Sequence, residues 1–208
     1  MILMFNQNNY KVIGLDLDLT LVDSTKAIVF AATSALGACG YKSNSKKLES
    51  MIGIPIKKIF GTIAARDDIE LLFDRYQEIY AEQAFKLSKP MPGAVNFLNY
   101  LNSEKYISVV ITAKTERLAS LQLEFLNMRV SKIVGDSFQA GKTEALIQNN
   151  CQIYLGDHLE DYKSAKNADI PFIGIGKGWM HPRGDHRGTF LSVSSLEELN
   201  TLLLPELR

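Results

Sequence analysis

Two short stretches of the chain concentrate carboxylates in a way that packing alone does not require. The first is Leu15-Asp16-Leu17-Asp18-Leu19-Thr20-Leu21-Val22-Asp23, where two aspartates two residues apart close an apolar, strand-like run. The second is Gly156-Asp157-His158-Leu159-Glu160-Asp161, directly after the strand-like run 152–155. Carboxylates are expensive to bury without partners, so a pair at the mouth of a core strand calls for a cation or a reaction. A lone strand-end aspartate is an ordinary turn cap, and an acidic residue or His158 at a helix start is equally ordinary. Two separate strands ending in such pairs are not explained that way. Converging carboxylate oxygens suit a hard cation such as Mg²⁺.

Two further residues supply what a phosphate would need: a hydroxyl from Thr112, after Val109-Val110-Ile111, and an ammonium from Lys142, opening a helix over 143–149. Taken singly, Thr112 reads as a turn residue and Lys142 as a solvated helix-start lysine. The ordered set Asp-x-Asp-x-Thr, Thr, Lys, Gly-Asp-x-x-x-Asp is far more specific than any member.

The elements that must position these groups alternate. Short β-branched runs at 12–17, 106–111, 132–134, 152–155 and 171–175 read as strands, with helices expected at 115–127, 141–149 and 159–168. Such a chain folds as α/β, a doubly wound parallel sheet of Rossmann-like form, with ligands at the C-terminal edge. The gap between the first two strands is far longer than one crossover needs. Within it, residues 27–36 and the series Ile69, Leu72, Phe73, Tyr76, Ile79 and Leu87 keep helical spacing, and no strand signal separates them. An inserted all-helical cap is therefore expected over residues 23–89, with the core formed by 1–22 and 90–208. The chain re-enters the core at Pro90-Met91-Pro92-Gly93 before a helix at 94–101. Ser43-Asn44-Ser45 and residues 181–188 read as exposed loops.

Composition narrows the partners. The 208 residues carry 23 Lys plus Arg against 23 Asp plus Glu, a net charge of zero. That balance removes the case for a nucleic-acid or anionic-membrane binder, which would cluster positive charge. No stretch reaches the roughly 18 apolar residues of a membrane span, and the apolar run at 1–5 is too short for a signal h-region. Cys39 and Cys151 have no disulfide or zinc-ligand spacing. A cytoplasmic protein acting on a small molecule is the expectation.

With Asp16 through Ser24, Pro92-Gly93, Val110-Ile111-Thr112, Lys142, and Gly156-Asp157 through Asp161 to Ala168 in view, the chain resembles haloacid dehalogenase superfamily hydrolases of the small helical-cap type. Among these it is similar to phosphoglycolate and sugar phosphatases. The resemblance implies a Mg²⁺-dependent phosphatase acting on a small phosphorylated metabolite. Asp16 would be the nucleophile, because a carboxylate is already ionised at neutral pH and needs no activating base. Asp18 would be the acid-base, and Thr112 and Lys142 would hold phosphoryl oxygens. The metal would be held by Asp16, the Asp18 backbone carbonyl and Asp157, with Asp161 supporting the metal's waters or Lys142. Gly53, Lys57 and Arg66 of the cap are the implied substrate contacts. Three positions depart from the pattern: Leu19 and Asp169 stand where glycine is usual or frequent, and Thr143 where proline is common. A phosphomutase of the same fold and a catalytically silent binding relative are the alternatives. A receiver-type signalling module would lack both the helical insertion and the Gly-Asp-x-x-x-Asp motif.

Overall fold

The computed structural model describes residues 12–176 and 190–203. At its centre lies β1 (Val12–Leu15), whose last three residues are buried. A strand covered on both faces must be apolar throughout, and such strands lie inside parallel sheets. β1 runs parallel to β4 (Ile107–Ile111) on one side and β6 (Ile153–Gly156) on the other, with Leu15 opposite Val110 and Leu155. β5 (Lys132–Val134) extends the sheet past β4, and β7 (Phe172–Ile175) and β8 (Leu191–Val193) extend it past β6. The order β5-β4-β1-β6-β7-β8 reverses beside β1, so the crevice between β1 and β6 is the switch point where open α/β sheets bind ligands.

Helices α5 (Ala94–Ser103), α6 (Glu116–Phe125), α7 (Ala140–Gln148), α8 (Leu159–Asn167) and α9 (Leu196–Leu203) connect and cover these strands. Successive side chains of a strand point to opposite faces, and β4 shows the consequence. Val110 packs with Phe97, Leu101 and Leu123, whereas Val109 and Ile111 pack with Leu146, Tyr154 and Ala165. The five expected strands and the expected helices of this region lie within two residues of the observed ones. The final β8–α9 unit carried no expectation.

The long insertion contains α1 (Thr25–Ala38), α2 (Ser45–Glu49), α3 (Ile56–Phe60) and α4 (Ile69–Glu82), with short 3₁₀ turns at Arg66–Asp68 and Ala84–Leu87. It has its own apolar cluster. Small residues Ala27, Ala31 and Ala35 of α1 face Leu72, Tyr76 and Tyr80 of α4, each set spaced by four. Leu118 of α6 joins this cluster from below.

Three local expectations differ from the structure. The helix read over 69–87 is broken at Gln83, whose ψ of −36° accompanies an extended φ of −145°. Ser43-Asn44-Ser45 is a helix start rather than a loop, because the Asn44 side chain accepts a hydrogen bond from Lys47 N at 3.2 Å and caps α2. The two connections to the insertion form an antiparallel ribbon, β2 (Val22–Asp23) with β3 (Lys89–Pro90). Two-residue strands are too short to show alternation in sequence. The loop at 181–188, with its His181 to Arg187 cluster, and Trp179 lie outside the described residues. Among the described residues, no helix is long and apolar enough to cross a membrane.

Gly93 joins the returning chain to α5. Its φ is +81°, and a Cβ there would lie 2.1 Å from Glu197 N at the start of α9. Gly93→Ala should therefore destabilise the chain by more than the ~1–2 kcal/mol of a left-handed residue alone. Thermal unfolding should show a midpoint lowered by at least about 2–4 °C.

Candidate active site

Asp16 is the first residue past β1, and Asp157 the first past β6. Because these strands are neighbours, their loops converge, and Asp16 N still donates to Leu155 O at 2.9 Å. One carboxylate oxygen each from Asp16, Asp157 and Asp161 fall within 4.8 Å of one another. Asp161 reaches this point from the first turn of α8. There it forms a capping box, its Oδ2 accepting from His158 N at 3.1 Å while His158 Nδ1 accepts from Glu160 N. Gly156 makes room for it: a Cβ on Gly156 would lie 2.6 Å from the Asp161 side chain. This close approach is the physical content of Gly-Asp-x-x-x-Asp.

Lys142, from α7, is buried between two of these groups. Its Nζ donates to Asp16 Oδ1 and to Asp161 Oδ1, each at 2.6 Å. Burial alone would lower its pKa, but the flanking Asp16 and Asp161 carboxylates hold it well above the ordinary lysine value. Asp161 is well occupied by protein donors, since the Tyr154 hydroxyl, whose one proton is shared with Ile111 O at 3.2 Å, also lies 3.3 Å from its Oδ1. Asp157 accepts only from Thr20 Oγ1, at 3.0 Å, through Oδ1. One oxygen of Asp16 and one of Asp157 thus have no hydrogen-bond partner among the described residues.

One lysine cannot neutralise three carboxylates, two of them buried and Asp157 half-buried. Burial, opposed by Lys142 and reinforced by Asp161, pushes the Asp16 carboxyl up to about 7. Burial, then the charges of Asp16 and Asp161, raise Asp157 well above the carboxylate range. A divalent cation relieves that excess charge, and free oxygens on a rigid floor suit a hard ion, so the residues fit Mg²⁺.

Thr112 is buried at the end of β4, anchored through Thr112 N to Val134 O at 3.0 Å and Ser137 N to Thr112 O at 2.9 Å. The strand order thereby places Thr112, Asp16 and Asp157 on successive strand ends, β4-β1-β6.

Asp18 behaves differently. Its carboxylate lies outside the acidic cluster, and its Oδ1 accepts from Ser24 Oγ and, at 2.6 Å, from Lys114 Nζ. Its backbone carbonyl accepts no hydrogen bond among the described residues, and is the atom expected to meet the metal. Lys114 was not singled out in the sequence. It is buried, which by itself would lower its proton affinity, but Asp18 and Tyr80 together hold it above the ordinary lysine value. Its other two protons go to Gln122 Oε1 at 2.6 Å and Tyr80 Oη at 3.0 Å. A sequence signal existed: Lys114 follows Thr112 by two, at the same sheet edge as the carboxylates.

The three cap contacts separate. Gly53, with φ +98°, turns toward the core, its missing Cβ being 3.7 Å from the His158 ring. It also lines a cavity with Asp18. Lys57 instead pairs with Glu70 at 2.6 Å and lies over the Phe73 ring, and Arg66 sits in the 3₁₀ turn before α4. Neither lines that cavity.

The three departures find structural accounts. Leu19 (φ 67°) and Asp169 (φ 55°) both occupy the left-handed region, where glycine is at ease. Leu19 offsets the strain by packing on the insertion's apolar cluster, and aspartate tolerates this region. Thr143 lies within α7, its Oγ1 3.4 Å from Ser164 O, and Lys142 still reaches Asp16.

Against known families, residues 13–175 match the haloacid dehalogenase-like hydrolase model. The chain belongs to this haloacid dehalogenase-like hydrolase family. It is 29% identical over 187 residues to a phosphoglycolate phosphatase of Agrobacterium fabrum, covering 79% of each chain. It is 28% identical over 220 residues to one of Chromobacterium violaceum, covering 95% of this chain and 98% of that one. A solved haloacid dehalogenase-like family hydrolase of Streptococcus pneumoniae shares the fold, with TM-score 0.75 at 22% identity over 92% of this chain and 97% of that one. As a member of this family, the protein is a phosphatase, a phosphoric monoester hydrolase.

The raised Asp16 has a consequence for stability. The folded chain holds this proton more tightly than the unfolded chain does, so its contribution is full below an unfolded pKa of 3.8 and lost as pH rises through about 7. Asp157 acts in the same direction. In a metal chelator the thermal midpoint should drop by several degrees between about pH 5 and pH 8, at about 2–4 °C per kcal/mol. Asp16→Asn should flatten that drop.

Proposed function

We propose that this phosphatase hydrolyses a small phosphorylated metabolite in two steps through an aspartyl-phosphate on Asp16, with Mg²⁺ held by Asp16, Asp157 and the Asp18 backbone carbonyl. The observation that carries this reading is the separation of the two aspartates. Asp16 faces the acidic cluster, while both donors to Asp18 land on its Oδ1 and leave Oδ2 for a proton.

When bound, Mg²⁺ offsets the repulsion between the Asp16 carboxylate and a phosphate dianion and draws charge from the phosphoryl oxygens. Asp16 attacks phosphorus as the ester P–O bond breaks, and the departing oxygen takes a proton from Asp18. A water then attacks the same phosphorus, gives its proton to Asp18, and Asp16 leaves as a free carboxylate. Thr112 and Lys142 hold phosphoryl oxygens. Asp161, held by His158 N and bonded to the lysine ammonium, positions Lys142. Lys114 and Ser24 orient Asp18.

The helical segment 23–89 serves as a cap that excludes bulk water, with hinges at 23–25 and 88–93. Its separate apolar cluster and the β2–β3 ribbon at its root support this division. The relatives' names bring forward phosphoglycolate and similar small phosphates as the size class of substrate.

With Mg²⁺, the purified protein should release phosphate from 4-nitrophenyl phosphate and lose that activity in EDTA. Full activity in EDTA would remove the metal from the reading. Asp16→Asn should trap no phosphoenzyme. Asp18→Asn should still form one, with its hydrolysis slowed by about 10²–10⁴-fold.

Lys114→Met should lower kcat on the order of 10² with little change in KM, since it misplaces a group used only in the chemical steps. Lys114→Arg should recover part of the loss if orientation of Asp18 is the cause, which steady-state kinetics on both variants would read.

A further inference from the structure

We infer that the leaving group is a small, uncharged, largely apolar alcohol, rather than a carboxylate-bearing one such as glycolate. The inference rests on the phosphatase reading and narrows its substrate class.

A cavity of about 60 Å³, room for only a few non-hydrogen atoms, opens beside Asp18 between the insertion and the core. Its walls come from Ile28, Ile54, Ile59, Phe73, Tyr76 and Leu118. Asp18 and Lys114 are the charged residues that line it, and neither arginine nor histidine does.

A substrate carboxylate entering this space would need donors to replace its water. Lys114 has none to give. An ammonium carries three protons, and those of Lys114 go to Asp18, Gln122 and Tyr80. Lys57 is held outside the wall, paired with Glu70 and lying 4.3 Å from the centroid of Phe73. Asp18, the other charged-type residue of the wall, is a carboxyl group and supplies no positive charge to a substrate carboxylate. A short, uncharged group meets the opposite conditions, because Ile28, Ile54, Ile59, Phe73 and Leu118 offer apolar surface and the hydroxyls of Tyr76 and Thr115, which also line the cavity, are neutral. Each methylene added within such a pocket raises kcat/KM by roughly 10-fold or more until the space is filled.

The test compares kcat/KM of the Mg²⁺-loaded enzyme for n-propyl phosphate and 2-phosphoglycolate, with 4-nitrophenyl phosphate as a general substrate. The expected result is at least tenfold preference for n-propyl phosphate. Ile54→Arg, which places a guanidinium on the cavity wall, should swing the ratio at least tenfold toward 2-phosphoglycolate. Phe73→Arg, on another wall, is the second variant should the first not fold. A wild-type ratio below tenfold, or a folded arginine variant that leaves the ratio unmoved, overturns the inference. If 4-nitrophenyl phosphate is hydrolysed in those cases, the phosphatase reading stands. Release of phosphate from none of the three substrates overturns that reading and the inference with it.

Discussion

The site depends on one buried ammonium shared by two carboxylates. Lys142 bridges Asp16 and Asp161 at 2.6 Å each, from a helix 126 residues after the first partner and 19 before the second. Removing one member of a buried pair leaves the other uncompensated, a loss of about 3–5 kcal/mol in typical cases. The arrangement therefore constrains its surroundings. Gly156 must lack a side chain, His158 must cap α8, and β1 must lie beside β6 for the charges to meet. Even then the three carboxylates outnumber the lysine, and this residual charge is what suits the floor of the crevice to the proposed cation rather than to a closed ion pair.

That floor was largely legible in the sequence because its members sit at strand ends. Asp16, Thr112 and Asp157 each follow an apolar run, and a parallel sheet brings successive strand ends to one edge whatever the intervening chain does. Lys142 and Asp161 lie in the first turns of the helices that follow, so the same rhythm locates them. The two-residue ribbon of β2 and β3 is too short to alternate, and α2 is a single turn whose evidence is the Asn44 cap alone.

Side-chain partners chosen across the fold were not legible. Lys114 lies 96 residues from Asp18 and 34 from Tyr80, and although its place two residues after Thr112 puts it at the sheet edge, nothing in that spacing says that the lysine will point inward. Lys57 shows the converse. A cationic residue near a glycine turn suggests a substrate contact, yet Glu70, thirteen residues on, satisfies it at the surface. Leu19 illustrates a third kind of limit. A leucine with φ 67° is unfavourable locally, and only its burial against the insertion, invisible in the motif itself, explains how the turn tolerates it.

The same long-range contacts tie the insertion to Asp18. Asp18 belongs to the core, but its carboxylate is held by Ser24 at the cap's entry and by Lys114, which also bonds Tyr80 of α4. Gln122 completes the chain, accepting from Lys114 and donating to Ser88 Oγ at 2.7 Å where the cap returns. Asp18 so held is oriented from both ends of the insertion at once. Asp16, by contrast, takes its one side-chain hydrogen bond from Lys142 of the core. Asp16, the proposed nucleophile, is thus fixed by the sheet, and Asp18, the proposed acid-base, by the contact between sheet and insertion, so displacement of the insertion would disturb Asp18 while leaving Asp16 in place.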